Sequence, residues 1–185
     1  IGLADDDVEA AVAEARETGR VEAVNFNAPG QVVIAGEKAA VARAIECAKA
    51  LGCRRAIELP VSAPFHSSLM QPAADKLAAR LVETEIQVPA IPVIANIDVE
   101  VHETPDAIRE ALARQAAGLN GHVADAQAVQ WVRTIERMKA AGITDIVECG
   151  PGKVLTGLLR RTAPEINGHN IFDAASLAAV LEKLN

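Results

Sequence analysis

His66 stands in the run Leu59-Pro60-Val61-Ser62-Ala63-Pro64-Phe65-His66-Ser67-Ser68-Leu69-Met70. Pro64 holds the preceding backbone extended, Phe65 sets an apolar side chain beside the imidazole, and Ser67 and Ser68 can cap a helix that begins there. An imidazole at such a strand-to-helix junction can reach into a cleft, as a general base must. A buried packing histidine is the alternative. A base of this kind serves a nucleophile, yet no G-x-S-x-G elbow occurs anywhere in the 185 residues. Ser67 and Ser68 do not replace it, since neither sits in a strained elbow beside an oxyanion donor pair.

Other residues offer less. His102 sits among Glu100, Val101 and Glu103, and His122 and His169 each follow an Asn-Gly pair, so all three read as solvated surface. Gly150-Pro151-Gly152-Lys153 would expose backbone N–H groups at a helix N-terminus. It is not a P-loop, because no glycine stands five residues before Gly152 and Val154 replaces the Ser or Thr. Tight strand-to-helix packing is its plainer reading. Asn25 and Asn27 either line a site or support a turn. Cys47, Cys53 and Cys149 form no C-x-x-C pair, so they read as reduced structural thiols, with no disulfide framework and no metal site.

The elements that must position these residues follow from periodicity. Ile1-Gly2-Leu3 reads as the tail of a strand whose start lies upstream, and Val8, Val12 and Ala15 mark a helix ending at Gly19. A strand ends at the Asn27-Ala28-Pro29-Gly30 turn and Val32-Val33-Ile34 forms its partner. Val41, Ile45, Ala48 and Leu51 mark a second helix, after which Arg54 to Leu59 alternates as a strand. Strand, helix, two strands, helix, strand is the split βαβ order of ferredoxin-like domains. Beyond Pro60 the chain alternates over longer stretches. Helices are expected over Met70 to Leu81, about 105 to 116, Gln127 to Ala141, after Lys153, and from Ala174 to Leu184. Strands are expected at Pro92-Val93-Ile94-Ala95 and Thr144 to Glu148. Gly118 to Asp125 is the one loop-like stretch.

Composition excludes several classes of function. A net charge of -7 lacks the basic footprint that displaces counterions from nucleic acid. No apolar stretch reaches the roughly 20 residues of a membrane span, and no leader is evident, so a soluble, cytoplasmic chain is expected. Half the residues are hydrophobic yet Tyr is absent and Phe and Trp are scarce, which leaves Ala, Val, Leu and Ile to build the core.

Three ordered blocks then carry a family resemblance: Val24 to Gly36, Pro60 to Leu77, and Glu148 to Leu158. Together they resemble the malonyl-CoA:acyl carrier protein transacylases of bacterial type II fatty acid synthesis and the acyltransferase domains of polyketide synthases. The resemblance implies an α/β fold: part of an α/β-hydrolase-like acyltransferase core (61–185) with a ferredoxin-like small subdomain (1–60). It implies malonyl transfer from malonyl-CoA to the phosphopantetheine thiol of acyl carrier protein by a Ser-His ping-pong mechanism, with no cofactor of the enzyme's own and a monomer when complete. His66 matches the catalytic histidine, and Gln115 the residue whose backbone carbonyl orients it. Asn27 aligns with a polar residue lining the site. Phe65 resembles the residue of a Phe-His pair that accompanies malonyl rather than methylmalonyl choice, and Arg54 and Arg55 align with a basic pair thought to meet the acidic carrier protein. The family's nucleophile elbow, malonyl-binding arginine and oxyanion loop belong before Ile1. Ala116 to Ala128 is an insertion ahead of Val129-Gln130-Trp131, with Ala128 where proline is usual. A non-catalytic module that binds carrier protein or an acyltransferase partner is the alternative function.

Overall fold

The computed structural model describes residues 1–117 and 128–184, in two compact units, Ile1–Trp131 and Val132–Asn185. The expected loop Gly118 to Asp125, His122, and most of the insertion lie outside the described residues.

In the first unit, α1 (Asp5–Ala15) leads to an antiparallel hairpin of β1 (Val21–Ala28) and β2 (Gln31–Gly36), followed by α2 (Lys38–Ala50). Asp5, Asp6 and Asp7 occupy the first turn of α1, where the helix dipole favours negative charge. Gly30, at φ 67°, lets the hairpin turn. Val12 and Ala15 of α1, Val21 of β1, and Ala40 and Ala44 of α2 are almost fully buried in one cluster, edged by Val8, Ile34 and Val41. With no large aromatic in that cluster, small side chains let the two helices lie close on each other and on the hairpin. Gly36 closes it: a Cβ there would fall 2.1 Å from the Arg20 carbonyl oxygen.

The two outer strands expected around this hairpin do not form. Ile1 to Leu3 and Arg54 to Leu59 make contacts short of a ladder: the Arg54 and Arg55 amides both donate to the Ile1 carbonyl, at 3.1 and 3.2 Å. The Ile1 nitrogen donates to the Arg55 carbonyl at 2.9 Å, and the Gly2 amide to that of Gly30. Beyond Arg55 the segment forms no ladder and leaves Ile57, Leu59 and Val61 exposed, so alternation alone did not produce a strand without a partner to pair with.

A single 3₁₀ turn, Ser68–Met70, then leads into α3 (Gln71–Val82), which packs against α4 (Pro105–Ala117). The Thr104 hydroxyl accepts the Ala107 amide and Pro105 occupies the first helical position, two ordinary start signals. The strand expected at Pro92 to Ala95 reduces to one bridge, Ile94 to Val101. Val129 instead bonds to β1, donating to the Val24 carbonyl and accepting the Phe26 amide, and the Gln130 amide donates to Asn96. These bonds hold Val129 and Gln130 extended, which is why α5 (Trp131–Ala140) starts later than the spacing suggested.

In the second unit, β3 (Asp145–Cys149) and β4 (Asn167–Ile171) pair in parallel through α6 (Val154–Thr162), and α7 (Ala174–Leu184) packs on β4. Strand β4 overturns the surface reading of His169. Asn167-Gly168 is not a turn; Gly168 supplies clearance, since a Cβ there would meet the Thr156 methyl at 2.9 Å. The His169 ring is mostly buried, its Nε2 2.8 Å from Asp145 Oδ1.

Candidate functional site

His66 is built into the turn before α3 in a conformation that side chains seldom take. Its φ is 61°, the left-handed region, which costs of order 1–3 kcal/mol unless the surroundings hold it. Three hydrogen bonds surround it. The Ser67 hydroxyl, 1% exposed, donates to the Pro64 carbonyl at 2.6 Å, so Ser67 ties the turn together rather than standing ready as a nucleophile. The Ser68 amide donates to Glu22 Oε2 on β1 at 2.8 Å. The His66 ring reaches across to α4, its Nδ1 2.8 Å from the Gln115 carbonyl oxygen.

That last contact decides the tautomer. A backbone carbonyl can only accept, so Nδ1 carries the hydrogen and Nε2 keeps its lone pair. Gln115 lies in the last turn of α4, whose final carbonyls have no partners within the helix, so one unmet acceptor meets one ring donor.

Around the end of α4 a second group of contacts gathers. Arg114, next to Gln115, sets Nη1 3.6 Å from Asp98 Oδ2, and His102 Nε2 lies 3.3 Å from the same oxygen. His102 is therefore largely sheltered, where the sequence suggested solvent. Val99 beside Asp98 has φ 63°, strained for a β-branched residue, and sits 5% exposed.

The remaining predicted residues are placed as follows. Asn27 is half-buried on β1, Phe65 is 48% exposed beside His66, and Arg54 and Arg55 are exposed after α2. Among the described residues none of these four hydrogen-bonds to His66 or Gln115, and the hydrogen bond between His66 and Gln115 is the contact the structure shows within the predicted set. Sequence reasoning missed Glu22 and Asp98, single acids without a local motif.

In the second unit the phosphate-like turn is already occupied. Glu148 accepts the Leu155 amide at 3.1 Å, the Thr156 amide at 2.8 Å and the Thr156 hydroxyl at 2.6 Å. Burial pushes its carboxyl up, but the Thr156 hydroxyl and the amides of Thr156, Leu155 and Val154 outweigh that and leave it below the ordinary value of 4.5. The chain's own carboxylate thus fills the start of α6. Among the described residues no cluster of His, Cys, Asp and Glu could hold a metal ion, and no helix is long and apolar enough to cross a membrane.

No family model matches the chain. Over 182 residues it is 46% identical to the malonyl CoA-acyl carrier protein transacylase of Escherichia coli strain K12, a match spanning 98% of this chain and 56% of that protein. The chain belongs to the malonyl CoA-acyl carrier protein transacylase family. Solved structures agree. An acyl-carrier-protein S-malonyltransferase from Burkholderia pseudomallei 1710b matches at TM-score 0.91 and 51% identity, over 98% of this chain and 56% of that one. A malonyl-transacylase in complex with a type II polyketide synthase acyl-carrier protein matches at TM-score 0.91 and 43% identity, over 99% and 56%. The chain spans a little over half the length of these transacylases and matches their C-terminal part, and its fold is the mixed α/β fold of that family.

Proposed function

We propose that the chain is the histidine-bearing part of a malonyl-CoA:acyl carrier protein transacylase, with His66 as the base of a Ser-His dyad. The observation that carries this reading is the bond from His66 Nδ1 to the Gln115 carbonyl, which leaves Nε2 free to take a proton. In the first half-reaction Nε2 takes the proton of a serine hydroxyl as its oxygen attacks the malonyl thioester carbonyl. The tetrahedral intermediate collapses, and the coenzyme A sulfur leaves with that proton. In the second half, Nε2 takes the proton of the phosphopantetheine thiol as the sulfur attacks the malonyl-serine ester, and the serine oxygen recovers it. The scheme needs no resident cofactor, because phosphopantetheine arrives on the carrier protein; a cytoplasmic location is part of the same proposal.

The other residues take supporting roles in this reading. Phe65 narrows the space beside the base against an α-methyl group, Asn27 lines the substrate side, and Arg55 with Arg54 faces the acidic carrier protein. Residues 1–60 are the ferredoxin-like part and 61–185 the acyltransferase part; the helix-hairpin-helix order supports the first. The solved complex of a similar transacylase with its carrier protein supports the choice of partner.

The test joins the N-terminal part of the Escherichia coli relative to this chain and follows malonylation of holo-acyl carrier protein by intact mass. The joined protein is expected to transfer malonyl, and His66→Ala in it to lower the rate by ~10²–10⁴-fold. A folded, active chimera that His66→Ala leaves at full rate overturns the assignment.

A further inference from the structure

The left-handed His66 turn raises the question of what holds it, because Gln115 fixes the ring and not the backbone. Ser67 binds the turn to itself, through Pro64. Among the described residues, the side chain outside the turn shown to bond to its backbone is Glu22, whose Oε2 takes the Ser68 amide at 2.8 Å across 46 residues of sequence. That amide belongs to the residue opening the 3₁₀ turn, where the first N–H groups have no partners inside the helical segment. Glu22 sits on β1, paired with Ala35 of β2, so the carboxylate is presented from a hydrogen-bonded strand rather than from a loop. The anchor is therefore rigid. An acceptor held in this way sets where Ser68 lies, and with Ser67 extended at φ -106° and ψ 164°, it sets the direction in which the chain leaves His66. Charge assistance makes such a bond about twice as strong as a neutral one.

We infer that Glu22 is a positioning residue for His66: by holding the Ser68 amide it keeps the His66 turn left-handed and the ring on the Gln115 carbonyl. This rests on the reading of His66 as the base, and Glu22 acts only through it. A displacement of the ring by about 1 Å is enough to cost on the order of 10²-fold in rate, so the anchor bears on catalysis without touching substrate.

The test reads the His66 ring directly by ¹⁵N NMR in the chimera, a readout independent of its transfer rate. Wild type is expected to show one tautomer, with a protonated Nδ1 and an unprotonated Nε2. Glu22→Ala is expected to average the two nitrogen signals as the ring leaves Gln115. Glu22→Gln keeps an acceptor oxygen and should restore the wild-type pattern. Ser68→Pro deletes the same bond from the other side, at a first helical position that tolerates proline, and should reproduce the Glu22→Ala spectrum. Circular dichroism identifies any variant that fails to fold, and the other deletion then decides. A folded Glu22→Ala or Ser68→Pro chain with an unchanged His66 tautomer overturns the inference and leaves the Ser-His reading standing. Loss of that reading would show instead as the chimera's indifference to His66→Ala.

Discussion

The His66 ring donates from Nδ1 to the main-chain oxygen of Gln115 at 2.8 Å, so position 115 acts through a group that every amino acid possesses. Gln115→Ala is therefore expected to keep the His66 tautomer and the chimera's transfer rate, since alanine sustains the helix that aims the carbonyl. Parallel rate and ¹⁵N measurements check this; a loss comparable to that of His66→Ala would mean that the amide side chain is the operative group.

Arg55 and Arg54 differ in what a charge reversal would test. The Arg54 side chain lies over Gly2, its Cδ within 2.6 Å of where a Cβ would stand, so altering it disturbs local packing. Arg55→Glu is the cleaner probe. It is expected to weaken binding of acyl carrier protein to the chain and to flatten the salt dependence, measured by titration at two ionic strengths. Unchanged affinity at low salt would remove Arg55 from the docking surface.

Glu148 makes the start of α6 sensitive to acid. Its folded-state pKa is depressed, so its contribution is complete above 4.5 and is lost as the pH falls through the lowered value. Glu148→Ala should cost about 1 kcal/mol at neutral pH, with solvent screening keeping it from more. The gap between wild type and variant in thermal unfolding should shrink toward zero well below pH 4.5; a gap independent of pH would refute the carboxylate's role.

Gly36 is irreplaceable for lack of room. A Cβ would lie 2.1 Å from the Arg20 oxygen and 2.6 Å from the Val21 Cα, both backbone atoms that cannot swing aside. Gly36→Ala should destabilise the protein by about 3 kcal/mol, seen as a lower urea midpoint at an unaltered slope. An unchanged midpoint would show that the hairpin can open at that end.

Helical periodicity was legible because it is local: α1, α2, α3 and α4 lie where Val, Ala and Leu spacing puts them. The outer strands at Ile1 to Leu3 and Arg54 to Leu59 were not, because a strand is defined by its partner and alternation does not name one. Strand β4 was hidden by Asn167-Gly168, a pair that reads as a turn until the neighbouring Thr156 methyl explains the glycine. At the site, Pro64-Phe65-His66-Ser67 drew attention through its own composition. Glu22 and Asp98 could not, since their partners stand 46 residues away at Ser68 and 16 at Arg114, with no motif linking them.

The 49-residue separation of His66 and Gln115 also orders events in time. The β1–β2 hairpin closes over a Pro29-Gly30 turn and can form in microseconds, whereas bringing His66 to α4 requires a long loop to close first. A chain emerging from the ribosome therefore completes Glu22's strand first, then the segment whose Ser68 amide bonds to Glu22, and ties down the His66 ring only when α4 has been synthesised and docked.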